Sequence, residues 1–142
     1  MRAALVVVLL AALAPTRSPD AAEPFDARKC YELSDGVTSE MLRCGARELE
    51  IADTALNEAW RALRTKARRR DGEADDGWSM SDALLKAQRA WLVYRDNNCE
   101  AEMGGERGRT LGTVIHQGCL IAMTQNRAKQ LRSLARSSHL NF

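Results

Sequence analysis

Four cysteines, Cys30, Cys44, Cys99 and Cys119, constrain this chain more than any other feature. They lie 14, 55 and 20 residues apart. Zinc sites built from cysteine use closely spaced pairs, and these intervals are too wide for that. An even number of separated cysteines reads as two disulfides, with three possible connectivities, provided the chain folds in an oxidising compartment. The N-terminus supplies that condition. Met1-Arg2 is followed by an apolar run from Ala3 to Ala14, ended by Pro15, Arg17 and Asp20. A cation before a short apolar run is the layout of a secretory signal peptide. A spanning helix needs about 20 apolar residues, so the run is too short to cross a membrane; an apolar core helix is the competing reading. Cleavage after Ala14 places Pro15 beside the cut bond, whereas cleavage near Ala21 or Ala22 places Pro19 or Asp20 where a small residue is preferred. No cysteine directly follows the run, which argues against lipid attachment there. No second segment approaches spanning length, so no stable membrane insertion is expected. The expected location is extracytoplasmic, periplasmic or secreted.

The chain divides into a signal peptide (1–22), an N-terminal linker and tethered segment (23–37), a helical domain (38–136) and a C-terminal tail (137–142). About 120 residues after the signal suffice for one compact core and not two. Aromatic residues make up 5%, and no stretch alternates apolar and polar residues long enough to demand a strand. Thr38-Ser39-Glu40 reads as a helix start, with a hydroxyl cap and an early carboxylate. Leu42, Leu49, Leu56 and Leu63 then recur every seven residues, with Gly45, Ala52 and Ala59 between them. Such a stripe with small residues suits close helix packing; a leucine-zipper dimer is the alternative, and the oligomeric state is left open. The helix runs out in Arg61, Arg64, Lys66, Arg68, Arg69 and Arg70, followed by the acidic stretch Asp71 to Asp76. Adjacent opposite charges cancel, which disfavours nucleic acid and reads as a solvated helix end. Ser79 and Asp82 have capping-box spacing for a second helix, with Leu85, Leu92 and Cys99 seven apart and Leu84 and Trp91 alongside. Gly104, Gly105 and Gly108 break it. A third helix carries Val114, Ile121, Ala128 and Leu131, starting at Thr110 or Thr113. The predicted fold is all-α: an antiparallel three-helix, up-down-up bundle stapled by two disulfides.

Gln88, Trp91 and Arg95 share one face of the second helix, with Tyr94 one turn from Trp91. Buried polar groups need partners, so the structural expectation is that Gln88 and Arg95 bond to neighbouring helices while Trp91 and Tyr94 fill core. The functional expectation is an aromatic-plus-arginine surface for a protein partner. The pattern Cys30…Cys44, Ala52-Asp53-x-x-Leu56-Asn57, Ala87-Gln88-Arg89-Ala90-Trp91-Leu92-x-Tyr94-Arg95-Asp96-x-x-Cys99, Gly104-Gly105 and Cys119…Thr124-x-x-Arg127…Leu131 resembles the LprI-like lysozyme-inhibitor family, also called DUF1311. The resemblance spans residues 30 to 135. It implies an exported bacterial helical domain with two disulfides, and a protein partner such as lysozyme or another peptidoglycan hydrolase. It brings no inhibitory residues with it.

An envelope adaptor that holds another exported protein is the alternative, and an enzyme the third class. Only two histidines exist, His116 and His139, and neither has a nucleophile at recognisable spacing. No catalytic residue, metal site or cofactor is expected. The candidate contact residues are Tyr94, Arg95, Asp96, Glu100, Glu102 and Glu106, beside a stapled bundle end. The formal charge of +2 gives no strong pull to nucleic acid or anionic lipid, and counts against tight binding of a cationic lysozyme. Topology favours the local closures Cys30–Cys44 and Cys99–Cys119, each flanking a connection at one end. Helix three should then start nearer Thr113, bringing Cys119 level with Cys99.

Overall fold

A computed structural model describes residues 24–74 and 76–137. The expected signal peptide (1–22), Glu23, Asp75 and the tail beyond Ser137 lie outside the described residues. The described residues form four α-helices and no strand: α1 (Ala27–Leu33), α2 (Thr38–Glu73), α3 (Met80–Met103) and α4 (Thr110–Arg136), with a 3-10 turn at Gly104–Glu106. The all-helical class agrees with the sequence reading, and the helix count departs from it. Residues within the expected linker and tethered segment form α1, whose first turn is capped by the Asp26 carboxylate accepting from the Lys29 amide at 3.1 Å. Seven residues with nothing buried do not hold a helix alone; the Cys30–Cys44 disulfide fastens it to α2.

Both disulfides are the local closures, with Cα–Cα distances of 5.8 Å for Cys30–Cys44 and 5.5 Å for Cys99–Cys119. Closing a loop of about 15 residues stabilises by roughly 3 kcal/mol in the chain-entropy treatment. The start of α4 corrects the expectation. It begins at Thr110, not Thr113, because its first turn backs onto the preceding loop. Gly112 is buried there, and a Cβ on it would collide with the Glu106 carbonyl. The start of α2 departs too. Val37 occupies the cap position with no side-chain hydrogen bond, and Thr38 is already helical. The tight turn from α1, with Asp35 and Gly36 at positive φ, fixes that boundary.

The leucine stripe of α2 is the core. Leu56, Ala59 and Leu63 are buried against Ala128 and Leu131 of α4, with Trp60, Leu84 and Trp91 packed around them. Gly45 lets α4 approach: a Cβ there would meet the Gln117 side chain, which donates to the Leu42 carbonyl at 3.1 Å. Further along, Gln125 donates to Glu48 at 2.9 Å and Lys66 to the Ala135 carbonyl at 2.6 Å. These contacts ascend in the same order along α2 and α4. No helix among the described residues is long and apolar enough to cross a membrane.

Candidate functional site

The second-helix face that the sequence singles out is turned inward. Gln88 is buried and accepts from Arg127 Nε of α4 at 3.0 Å. Arg95, one turn beyond Trp91, donates to the Thr124 hydroxyl at 3.3 Å and lies 3.7 Å from Asp53 and 2.9 Å from Asp96. Trp91 is half-buried between the two guanidiniums, 5.4 Å from that of Arg95 and 5.5 Å from that of Arg127. A cation over an aromatic face is worth about 0.5–2 kcal/mol, and burial lowers Arg127's hold on its proton. Asp53, Gln88, Trp91, Arg95, Thr124 and Arg127 therefore make one network across α2, α3 and α4. Every one of them belongs to the sequence pattern, so these six of its positions are internal contacts.

This assigns the candidate contact residues unequally. Arg95 is an internal group, its side chain 16% exposed. Tyr94 is 60% exposed and does not fill core as expected; Leu92 and Val93 are exposed beside it. Seven-residue spacing places Leu92 on the apolar stripe, but the inward face is Leu84, Gln88, Trp91, Arg95 and Cys99. Asp96 is exposed and spends one carboxylate oxygen on Arg95. Glu100 faces Arg107 at 3.6 Å, Glu102 accepts from Asn98 at 2.8 Å, and Glu106 lies 3.2 Å from Arg109. The loop at the stapled end is therefore partly self-neutralised.

Charge is nonetheless divided along the bundle. Segments 24–57 and 90–122, the stapled half, carry eleven acidic and seven basic residues. Segments 58–89 and 123–137 carry six acidic and twelve basic ones. A near-neutral total conceals two ends of opposite sign.

The acidic stretch at the far end is not simply solvated. Asp71, still inside α2, accepts from the Met80 amide at 2.7 Å, the Ser81 amide at 2.9 Å and the Ser79 hydroxyl at 3.0 Å. Hydrogen bonds from Ser81, hydroxyl and then amide, lead in pulling its pKa down to about 2. Ser79 in turn accepts from the Asp82 amide at 3.2 Å, the predicted half of the capping box. Arg70 stacks on Trp78 at 4.8 Å and pairs with Asp76, whose pKa it lowers. Sequence spacing missed Asp71, because its partners lie eight to ten residues on, in another helix. Among the described residues no cluster of His, Cys, Asp or Glu is arranged to hold a metal ion.

A shallow groove runs along α2 and α4, lined by Phe25 and Ala27 before and at the start of α1, Glu48, Ile51, Ala52 and Ala55 of α2, and Gln125, Ala128, Lys129 and Arg132 of α4. No residue of α3 lines it. The alanines there read in sequence only as packing residues.

Comparison with known proteins gives a consistent result. An uncharacterized protein of Rhizobium meliloti is 32% identical over 144 residues, covering 97% of this chain and 99% of that one. The protein YecT of Escherichia coli is 31% identical over 101 residues, covering 63% of this chain and 59% of its own length. A crystal structure of a DUF1311 family protein from Pseudomonas putida KT2440 aligns with a TM-score of 0.59 at 25% identity, covering 68% of this chain and 91% of that one. The family model described as Lysozyme inhibitor LprI matches residues 30–131, the span that holds both disulfides and the whole Trp91 network. The chain belongs to the LprI lysozyme-inhibitor family.

Proposed function

We propose that this protein is an exported, non-catalytic binding module that inhibits a lysozyme or another wall-cleaving enzyme through its stapled end. The observation that carries the reading is the family match over residues 30–131. The choice of end rests on charge: carboxylates outnumber cations there, and association with a cationic enzyme is steered by opposite sign. Lysozyme cleaves with two carboxylates in a cleft, so an inhibitor need only fill that cleft and requires no chemistry of its own. In this reading the signal peptide (1–22) is removed, α2, α3 and α4 form an up-down-up bundle, and the disulfides hold the contact end rigid. Tyr94, Asp96, Glu100, Glu102 and Glu106 make the contact, while Arg95 holds α3 in place behind them. The exposed Leu92, Val93 and Tyr94 run favours a second reading, an envelope adaptor that seats another exported protein on α3.

The test is residual lysozyme activity in the presence of oxidised, folded protein. Inhibition should weaken as salt is raised, since the Debye length is already about 8 Å at physiological ionic strength. It should weaken about tenfold in the triple variant Glu100→Gln, Glu102→Gln, Glu106→Gln, a loss of about 1.4 kcal/mol. Inhibition indifferent to both salt and these substitutions overturns the assigned surface. No inhibition by well-folded protein leaves the adaptor reading in its place.

A further inference from the structure

The groove between α2 and α4 combines an apolar floor with two cations that no described residue pairs with. Ala52 and Ala128 are buried in its floor, Ala55 is half-buried, and Ile51 stands 41% exposed in its lining. Glu48, the carboxylate in the lining, is committed to the Gln125 amide. Lys129 and Arg132 lie three residues apart on α4, a spacing that puts both on one helix face. Both are exposed, and among the described residues neither has an ion-pair or hydrogen-bond partner. The space is about 280 Å³, near the small end of ligand pockets, which run from about 300 to 1,000 Å³.

We propose that this groove binds the free C-terminal end of a short peptide with alanine-sized side chains. The carboxylate lies between Lys129 and Arg132, where two cations reinforce one another. The adjacent methyl rests on Ala128 and Ala55. A terminal alanine suits this spacing because a single carbon separates its methyl from its carboxylate. A long acyl chain finds no depth, and an uncharged peptide leaves both cations without a counter-charge. The site shares no residue with the stapled-end surface, so it stands or falls apart from lysozyme inhibition.

The experiment is a titration of the oxidised protein with N-acetyl-alanyl-alanine, followed by backbone amide NMR shifts. The expected result is saturable shifts centred on Ala55, Ala128, Lys129 and Arg132, with binding at least tenfold weaker for the C-terminal amide. The exposed pair Lys129→Gln and Arg132→Gln should weaken the acid at least tenfold without changing the fold. Ala55→Leu, which fills the trough, should abolish binding with both cations intact. Equal binding of acid and amide, shifts confined to another surface, or no saturable shifts overturns the proposal. Tighter binding of decanoate than of the peptide also overturns it, in favour of an anionic amphiphile.

Discussion

The Gln88 side chain of α3 accepts a 3.0 Å hydrogen bond from Arg127 Nε of α4, joining two helices through a buried amide and a partly buried cation. Burial weakens Arg127's hold on its proton, and the guanidinium has two glutamine acceptors, Gln88 through Nε and Gln130 through Nη1 at 3.3 Å. Gln88→Leu should destabilise by about 1.5–3 kcal/mol, the usual range for a hydrogen bond to a charged group. Combined with Arg127→Leu, a double-mutant cycle by urea unfolding should show coupling of about 0.5–3 kcal/mol. Additive single effects would refute the pairing.

Trp91 is flanked by Arg95 and Arg127 and packs on the core cluster from its edge. Its sequence position suggests the full cost of emptying a buried aromatic site, about 3–5 kcal/mol. Half-burial reduces the transfer part, and the lost cation contacts partly restore it. Trp91→Ala should therefore lose about 2–4 kcal/mol in chemical unfolding, with less lost in Trp91→Phe. Unchanged unfolding together with loss of a partner would make Trp91 a surface contact.

Asp71 ties stability to acid pH. Its folded pKa of about 2 lies below the ordinary carboxylate value of about 3.9, so the unfolded chain takes up the proton first. The stabilisation is complete above about pH 4 and is lost as pH falls through 2. Asp76 shifts in the same direction through Arg70. Asp71→Ala should lower the melting temperature at pH 7, with the gap to the parent protein closing as pH approaches 2. A constant gap would show that Asp71 acts by shape and not by charge. It follows that neutralising Asp71 and Asp76 is no clean test of surface charge, since it also unties the start of α3.

Two glycines of α4 should respond in opposite ways to alanine. A Cβ at Gly112 would collide with the Glu106 backbone, whereas one at Gly118 would meet nothing within 4 Å. Gly112→Ala should destabilise by about 1–3 kcal/mol as an overpacked contact. Gly118→Ala should stabilise by up to about 1 kcal/mol through helix propensity. Thermal unfolding of the two variants decides it, and the same sign in both would mean the loop does not seat against α4.

What the sequence makes legible follows from what hydropathy measures. The α2 stripe is readable because Leu56 and Leu63 are apolar and buried. On α3 the same seven-residue logic turns Leu92 inward and fails, because the inward face is held by Gln88, Trp91 and Arg95. Hydropathy ranks residue types, and a satisfied buried polar pair inverts the ranking. The α1 helix carries no buried side chain to announce it. The α4 boundary has no side-chain cap and is set by a backbone contact at Gly112. The disulfide pairs were legible because topology brings their ends together; the groove was not, since its alanines read as packing and its two elements are distant in sequence.

The Trp91 network also bears on how such proteins diverge. The polar residues of that network make the family recognisable and face inward, whereas Glu100, Glu102 and Glu106, which would touch a target, take no part in the recognition pattern. Descendants of one ancestor are then free to exchange Glu100, Glu102 and Glu106 for new chemistry while the scaffold's fingerprint persists intact. A search on the pattern retrieves a mounting frame, and the identity of what is mounted is written in positions outside it.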